Sequence, residues 1–385
     1  MSFFRIISLF ISCFGVWSGF CISVGAQTER DSLTSSSSVQ NLMFTPYIAP
    51  SYSPELELMV TAGALISFKV QPDNPMLGRS SIPFSIGYST NNSMSISVFP
   101  YIYGKDDKLR VLSRFYFRDM PDNYWGVGYD VGNRTSSADQ TTNYHRRWWS
   151  LEGKIVRKVT NRFFVGLTYD INETKATELN DYMKAETYVK QYGADISNVG
   201  LGFILEYDSR DNVQNAHKGG LLSVAFSEYN KIINISGYEF NKLTLDARKY
   251  FPIEYRKTLA MQVKTEYADG AVPWTELPHL GTMFDLRGYQ KGRFRDKSML
   301  FGIMEYRHMF ERRRINRKGN YESPFGVVGW IGLGSVAPAY RQMDHWLANF
   351  GAGIRYEIQP RLNVRIDYGF GKDNQGLYVS ISEAF

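Results

Sequence analysis

The residues best equipped for chemistry in this sequence are arginines and carboxylates set in short glycine-containing motifs. The clearest is "TMFDLRGYQKGRFRD", Thr282 to Asp296, where Arg287-Gly288-Tyr289 sits amid more charge than a hairpin turn requires. A guanidinium in a confined place needs carboxylate or carbonyl partners, because its donors form a fixed fork. Glu305, in "FGIMEYRHMF", stands on the segment that follows. A second charged group, "YDSRDN", holds Asp208, Arg210 and Asp211. It reads as a solvated turn whose Asp and Asn side chains cap the backbone, with a functional acid cluster as the sharper alternative. The basic run "ERRRINRKGN", residues 311–320, divides in the same way between a solvated turn and a dock for a partner or anionic headgroups.

Patterns for catalysis are missing. His145, His217, His279, His308 and His345 are scattered, without a His-Glu-x-x-His or Gly-x-Ser-x-Gly motif. Asp344 and His345 are adjacent, but neighbours on a strand point to opposite faces. The pairs Gly126/Gly128 and Gly200/Gly202 lack the strand-to-helix setting of a nucleotide loop and suit a crowded lumen better. The reading is a non-enzymatic protein with no cofactor and no metal; a hydrolase assembled across loops is the remaining enzymatic alternative.

These motifs must be held by strands. The chain has 385 residues, 15% aromatic, with 33 glycines and 26 tyrosines. Its mean hydropathy is −0.31, and past the N-terminus no run of ~18 apolar residues could form a membrane helix. The formal charge of +6 does not argue for nucleic acid. Met1 to Arg5 is a short basic start, Ile6 to Val24 is largely apolar, and Val24-Gly25-Ala26 is a small-residue cleavage site. Residues 1–26 therefore read as a signal peptide, with a lipoprotein signal at Cys13 as the poorer alternative. Cys13 and Cys21 both lie inside it, so cleavage would leave no thiol chemistry. Residues 27–42, rich in serine, read as a flexible polar lead, and 43–385 as one domain.

Within that domain, amphipathic segments recur with period two. In "RLNVRIDYGFG", Leu362, Val364, Ile366, Tyr368 and Phe370 share one face, and Asn363, Arg365, Asp367 and Gly369 the other. "RFFVGLTYDI", "NVGLGFILEYD" and "NFGAGIRYE" alternate likewise. Either a soluble sheet with a second sheet over each apolar face, or a barrel with lipid outside and water inside, produces this pattern. Export, aromatic strand ends and strands of ~11 residues favour the transmembrane antiparallel β-barrel. About sixteen strands are expected, from 56–70 to 375–385, including 92–104 and 122–132. The even number puts both termini on one side. The turns near Asn91, Thr160 and Gln359 then fall on that side, and the longer connections near 173–196, 269–296 and 337–346 on the other.

The chain end "GLYVSISEAF" places Leu377, Val379, Ile381 and Phe385 in alternation and resembles the C-terminal strand signal of outer-membrane barrels. There Glu383 is expected at the water interface. "LEYDSRDN" followed by "HKGG", then "DLRGYQ", then "FGIMEYRHMF", together resemble ordered motifs of the BamA/TamA surface-antigen superfamily. The resemblance covers the chain from about Tyr52 onward. It implies that the long loop after the eleventh strand is an extracellular loop folded into the barrel, with Arg287 reaching Glu305. The superfamily's aromatic-x-Asp-x-Gly strand stands here as "WIGLG": Trp330 and Gly334 match, but Gly332 replaces the aspartate. One carboxylate fewer, and a less firmly held loop, are therefore expected.

Only about 25 residues separate Ala26 from Tyr52, too few for the POTRA domains of the assembly factors, since domains start near 50 residues. The resemblance implies a POTRA-less outer-membrane protein acting as an accessory or scaffold in outer-membrane protein assembly or translocation. Its expected partners are outer-membrane lipids including lipopolysaccharide, and subunits of an envelope assembly complex. A passive channel is the chief rival.

Overall fold

A computed structural model describes residues 41–385, apart from 54–56, 75–76, 136–141, 232–235, 314–319 and 360. The expected signal peptide, nearly all of the polar lead and most of "ERRRINRKGN" lie outside the described residues.

Among the described residues, seventeen strands belong to one sheet. They are β1 (Leu42–Ser53), β2 (Glu57–Phe68), β3 (Ser80–Ser89), β4 (Met94–Val98), β5 (Tyr101–Tyr103), β6 (Leu109–Asn123), β7 (Asn143–Lys158), β8 (Phe163–Thr177) and β9 (Asp195–Asp208). β10 (Gly219–Tyr229), β11 (Phe240–Glu254), β12 (Lys257–Gly270), β13 (Ser298–Arg313), β14 (Asn320–Ala337), β15 (Leu347–Gln359), β16 (Leu362–Gly371) and β17 (Asn374–Ile381) complete it. Antiparallel registers run without a crossover from β1–β2 to β16–β17. β4 and β5 both lie between β3 and β6, interrupted at Phe99-Pro100, and so share one position in the sheet. Seventeen strands thus fill sixteen positions.

The expected number holds because two errors cancel. Residues 122–132 are not a strand: β6 ends at Asn123 and the chain turns into a helix, α1 (Tyr129–Arg134). In exchange, β1 precedes the first expected strand. Its Pro46 and Pro50 hide it, since proline supplies no ladder N–H and is confined to edge strands. One position earlier, β1 also moves the Asn91–Asn92 turn between β3 and β4 to the side opposite the termini. From β7 onward every expected position and side holds.

Side-chain alternation divides lipid from lumen. On β9, Leu201, Phe203 and Leu205 are exposed, Phe203 by 72%, while Asn198, Ile204, Glu206 and Asp208 are buried. On β16, Asn363, Arg365 and Asp367 are buried inward. An apolar band of this extent on the outer face exceeds what a soluble surface carries and suits lipid. The sheet curls far enough that a strand near its C-terminal edge bonds its first two strands through side chains. Gln359, closing β15, donates to Thr45 Oγ1 of β1 (2.8 Å) and accepts from Ser67 Oγ of β2 (2.5 Å).

Candidate functional site

The loop between β12 and β13, residues 271–297, carries the charged motif. It leaves the side opposite the termini and returns into the lumen. Arg287 is fully buried. Its guanidinium donates to Glu305 of β13 and, at 2.5 Å, to Asp367 of β16, and lies 3.7 Å over the Trp330 ring of β14. The expected deficit of one carboxylate does not occur. Asp367 supplies the second acid from a strand far along the chain.

The place of the missing aspartate is occupied differently. Gly332 pairs in register with Asn349 of β15, and a Cβ at 332 would lie 2.3 Å from Asn349 Oδ1 and 3.2 Å from Leu286 Cδ2. Asn349 Nδ2 donates to the Arg287 carbonyl (2.8 Å). A Cβ at Gly334 would lie 2.9 Å from Leu286 Cδ1. The two glycines therefore form the socket for the buried Leu286 of the loop. Gly332→Asp, which restores the superfamily residue, should destabilise the barrel by roughly 1–3 kcal/mol through overpacking. The thermal midpoint of heat-modifiable gel mobility reads this; an unchanged or raised midpoint would disprove the socket.

Gly288 has φ +113°, and a Cβ there would lie 2.5 Å from the Phe370 carbonyl carbon. Only glycine lets the loop lie this close to β16. Its N–H donates to the Tyr378 hydroxyl of β17 (2.9 Å). The Tyr289 hydroxyl donates to the Ala348 carbonyl (2.8 Å) and accepts from Lys372 N–H (3.0 Å). Arg-Gly-Tyr thus touches β13 to β17, the last five strands of the chain.

Behind Arg287 the charges close into a ring. Glu305 pairs with Arg307 (2.9 Å), Arg307 faces Glu383 (3.9 Å), Glu383 pairs with Arg355 (2.9 Å), and Arg355 with Asp367 (2.6 Å). Asp367 returns to Arg287, and Arg365 adds a third guanidinium to it at 3.2 Å. Glu383 is therefore not an interfacial charge. β17 stops at Ile381, Ser382 takes φ +77°, and the last residues turn inward. Phe385, expected on the outward alternation, is buried instead, with its ring 4.9 Å from the Arg307 guanidinium carbon. The backbone reversal at Ser382 explains the change of face.

The loop has a second anchor. Trp274 Nε1 donates to the Gly193 carbonyl (2.9 Å), and the indole meets Tyr124 and Tyr144 edge-on. Glu276 accepts from Lys242 of β11 and from Asn198 of β9 (3.1 Å). On the terminus side, the "YDSRDN" turn is not simply solvated. Asp208 is buried between Arg110 (2.6 Å) and Arg210 (2.9 Å), while Asp211 pairs with Arg361 (2.7 Å) and Gln214 bonds Ser81 of β3. These partners sit on opposite parts of the sheet, so the turn crosses the mouth. Burial opposes the Asp211 charge, but the His217 amide and Arg361 outweigh it and hold the carboxyl below its ordinary range.

Residues 79–385 match the Omp85 superfamily domain. The chain belongs to the Omp85 superfamily. No curated protein matches the sequence. Among solved structures it is similar to BamA from Haemophilus ducreyi lacking POTRA domains 1–3, with TM-score 0.52 and 12% identity over 89% of this chain and 69% of that one. It is also similar to CdiB from Escherichia coli (TM-score 0.53, 10% identity, 89% and 62% covered). CdiB from Acinetobacter baumannii gives TM-score 0.51 and 12% identity, with 89% and 60% covered. The chain thus spans under two thirds of either CdiB, and at these identities the likeness is one of fold. As an Omp85 barrel it is an outer-membrane protein. Linear motifs located Arg287, Glu305 and Trp330 in this Omp85 lumen, but missed Asp367, Asn349, Arg355 and Glu383. For Asp367 the signal was present, since period two already placed it on the polar face of its strand.

Proposed function

We propose that this Omp85 barrel is a plugged accessory or scaffold subunit of outer-membrane protein assembly or translocation. In this reading a signal peptide cleaved after Ala26 exports it, it performs no catalysis, and its partners are envelope-complex subunits and outer-membrane lipids including lipopolysaccharide. The observation that carries the proposal is the loop held inside the lumen. The 271–297 loop is anchored both at Arg287 and at Trp274–Glu276. Ala216 of the terminus-side turn, Leu286 of the loop and Phe385 of the tail belong to one buried cluster. A passive channel needs that space open. The seam between β1 and β17 is the natural place for a client, because a strand edge can accept another strand.

Two measurements test this. The intact barrel in a planar bilayer should conduct little, and deletion of 282–296 should raise conductance. Extraction in mild detergent should recover it with other envelope proteins. A solitary monomer with large steady conductance would establish the channel reading instead.

A further inference from the structure

In the lumen most charges answer one another: Arg110 meets Asp208, Lys242 meets Glu276 and Arg248 meets Asp246. One region does not follow this rule. Arg118 of β6 lies directly opposite Trp148 of β7, and Arg146 lies two residues before Trp148 on the same inward face. Lys291 descends from the loop to join them. The Arg118 and Arg146 guanidinium carbons are 5.6 Å and 4.9 Å from the Trp148 ring centre, and Lys291 Nζ is 4.8 Å from it. Two guanidiniums and one amine therefore surround one indole.

Their compensation is thin. Arg146 donates to Asp122 (3.2 Å) and Thr174 (2.9 Å). Among the described residues neither Arg118 nor Lys291 has a hydrogen-bond or carboxylate partner, and the Nε atoms of Arg118 and Arg146 are buried without an acceptor. Asp122 is the carboxylate facing the group, and Tyr144 shares it (3.2 Å). From the loop, Arg295 gives its donors to the carbonyls of Gly292 and Trp274. Burial and nearby cations push His279 down to about 3, so it stays neutral. Crowding in the lumen, then the Arg118 and Arg146 charges, push Lys291 down to about 7. Cation–π contacts offset such repulsion only in part. Lys291 is nonetheless exposed, so lumen solvent reaches the cluster.

We propose that Arg118, Arg146 and Lys291 form an oxyanion-binding site over Trp148, suited to a soluble anion of the phosphate or sulfate class. Guanidinium forks match the oxygen edges of such an anion, and the ammonium supplies a third donor group. One bound oxyanion answers the excess of positive charge. Neither anchor of the loop uses these donors.

Titration calorimetry of the full barrel with sodium sulfate, in a zwitterionic detergent at low chloride, tests the site; sulfate keeps its charge near neutral pH. Saturable single-site binding is expected, weakened at least about tenfold by either Arg118→Gln or Lys291→Gln, because each removes charge-assisted hydrogen bonds. Arg147→Gln, which changes net charge equally on the exposed face, should leave binding intact. Heat-modifiable mobility shows that each variant is folded. Absence of saturable binding, or equal weakening by Arg147→Gln, overturns the proposal. So does binding confined to phosphatidylcholine vesicles doped with phosphatidic acid, which would place the anion at the lipid headgroups outside the wall.

Discussion

Arg287→Ala should free the loop and lower barrel stability by about 3 kcal/mol, the lower end of the cost of breaking a buried ion pair, because Arg307, Arg355 and Arg365 still face the two acids. The arginine holds two fully buried carboxylates on different strands, Glu305 and Asp367, and covers Trp330. Removing it leaves Glu305 with Arg307 alone and Asp367 with Arg355 and Arg365, takes the guanidinium off Trp330, and breaks the side-chain tie between loop and wall. The thermal midpoint of heat-modifiable mobility should fall, and limited proteolysis should now cut within 271–297. Arg287→Lys should fall between, since one ammonium cannot span two carboxylates as the fork does. A loop as protease-resistant in Arg287→Ala as in the parent would show that the Trp274–Glu276 anchor alone holds it.

Period-two alternation made the sheet legible because lipid and lumen impose opposite demands on neighbouring residues. It therefore gave the faces of β8, β9, β15 and β16 correctly. It failed where local chemistry competes with alternation. Pro46 and Pro50 concealed β1, and aromatic residues after Asn123 imitated a strand where the chain enters a turn and α1. The partners of the loop were less legible for a different reason. β13 to β16 are consecutive strands of one wall, and their inward residues Glu305, Trp330, Asn349 and Asp367 become partners only when the loop folds back over them, which no linear spacing encodes. "YDSRDN" misled for the same reason: the turn looks solvated until Arg110 and Arg361 are seen to meet it.

The ring also reverses the ranking that the motif suggests. Glu305 is the acid matched by resemblance, yet Asp367 bears more of the charge. Arg287, Arg355 and Arg365 converge on it at 2.5, 2.6 and 3.2 Å, whereas Glu305 faces Arg287 and Arg307. The connected group holds Arg287, Arg307, Arg355 and Arg365 against Glu305, Asp367 and Glu383. Its one excess positive charge rises to two when Asp367 is neutralised, and Arg365 then has no carboxylate in contact. Asp367→Asn is nearly isosteric, so packing should change little and charge should decide the outcome. Its expected cost is at least about 3 kcal/mol, larger than that of Glu305→Gln, measured by midpoint shift under one set of conditions. Because Arg355 also holds Glu383, the variant should loosen the tail, and hydrogen exchange at 382–385 should rise together with that at 283–289. Glu305→Gln more damaging than Asp367→Asn would mean that the loop depends on β13 alone. Simultaneous loosening of loop and tail would instead identify Asp367 as the link between them.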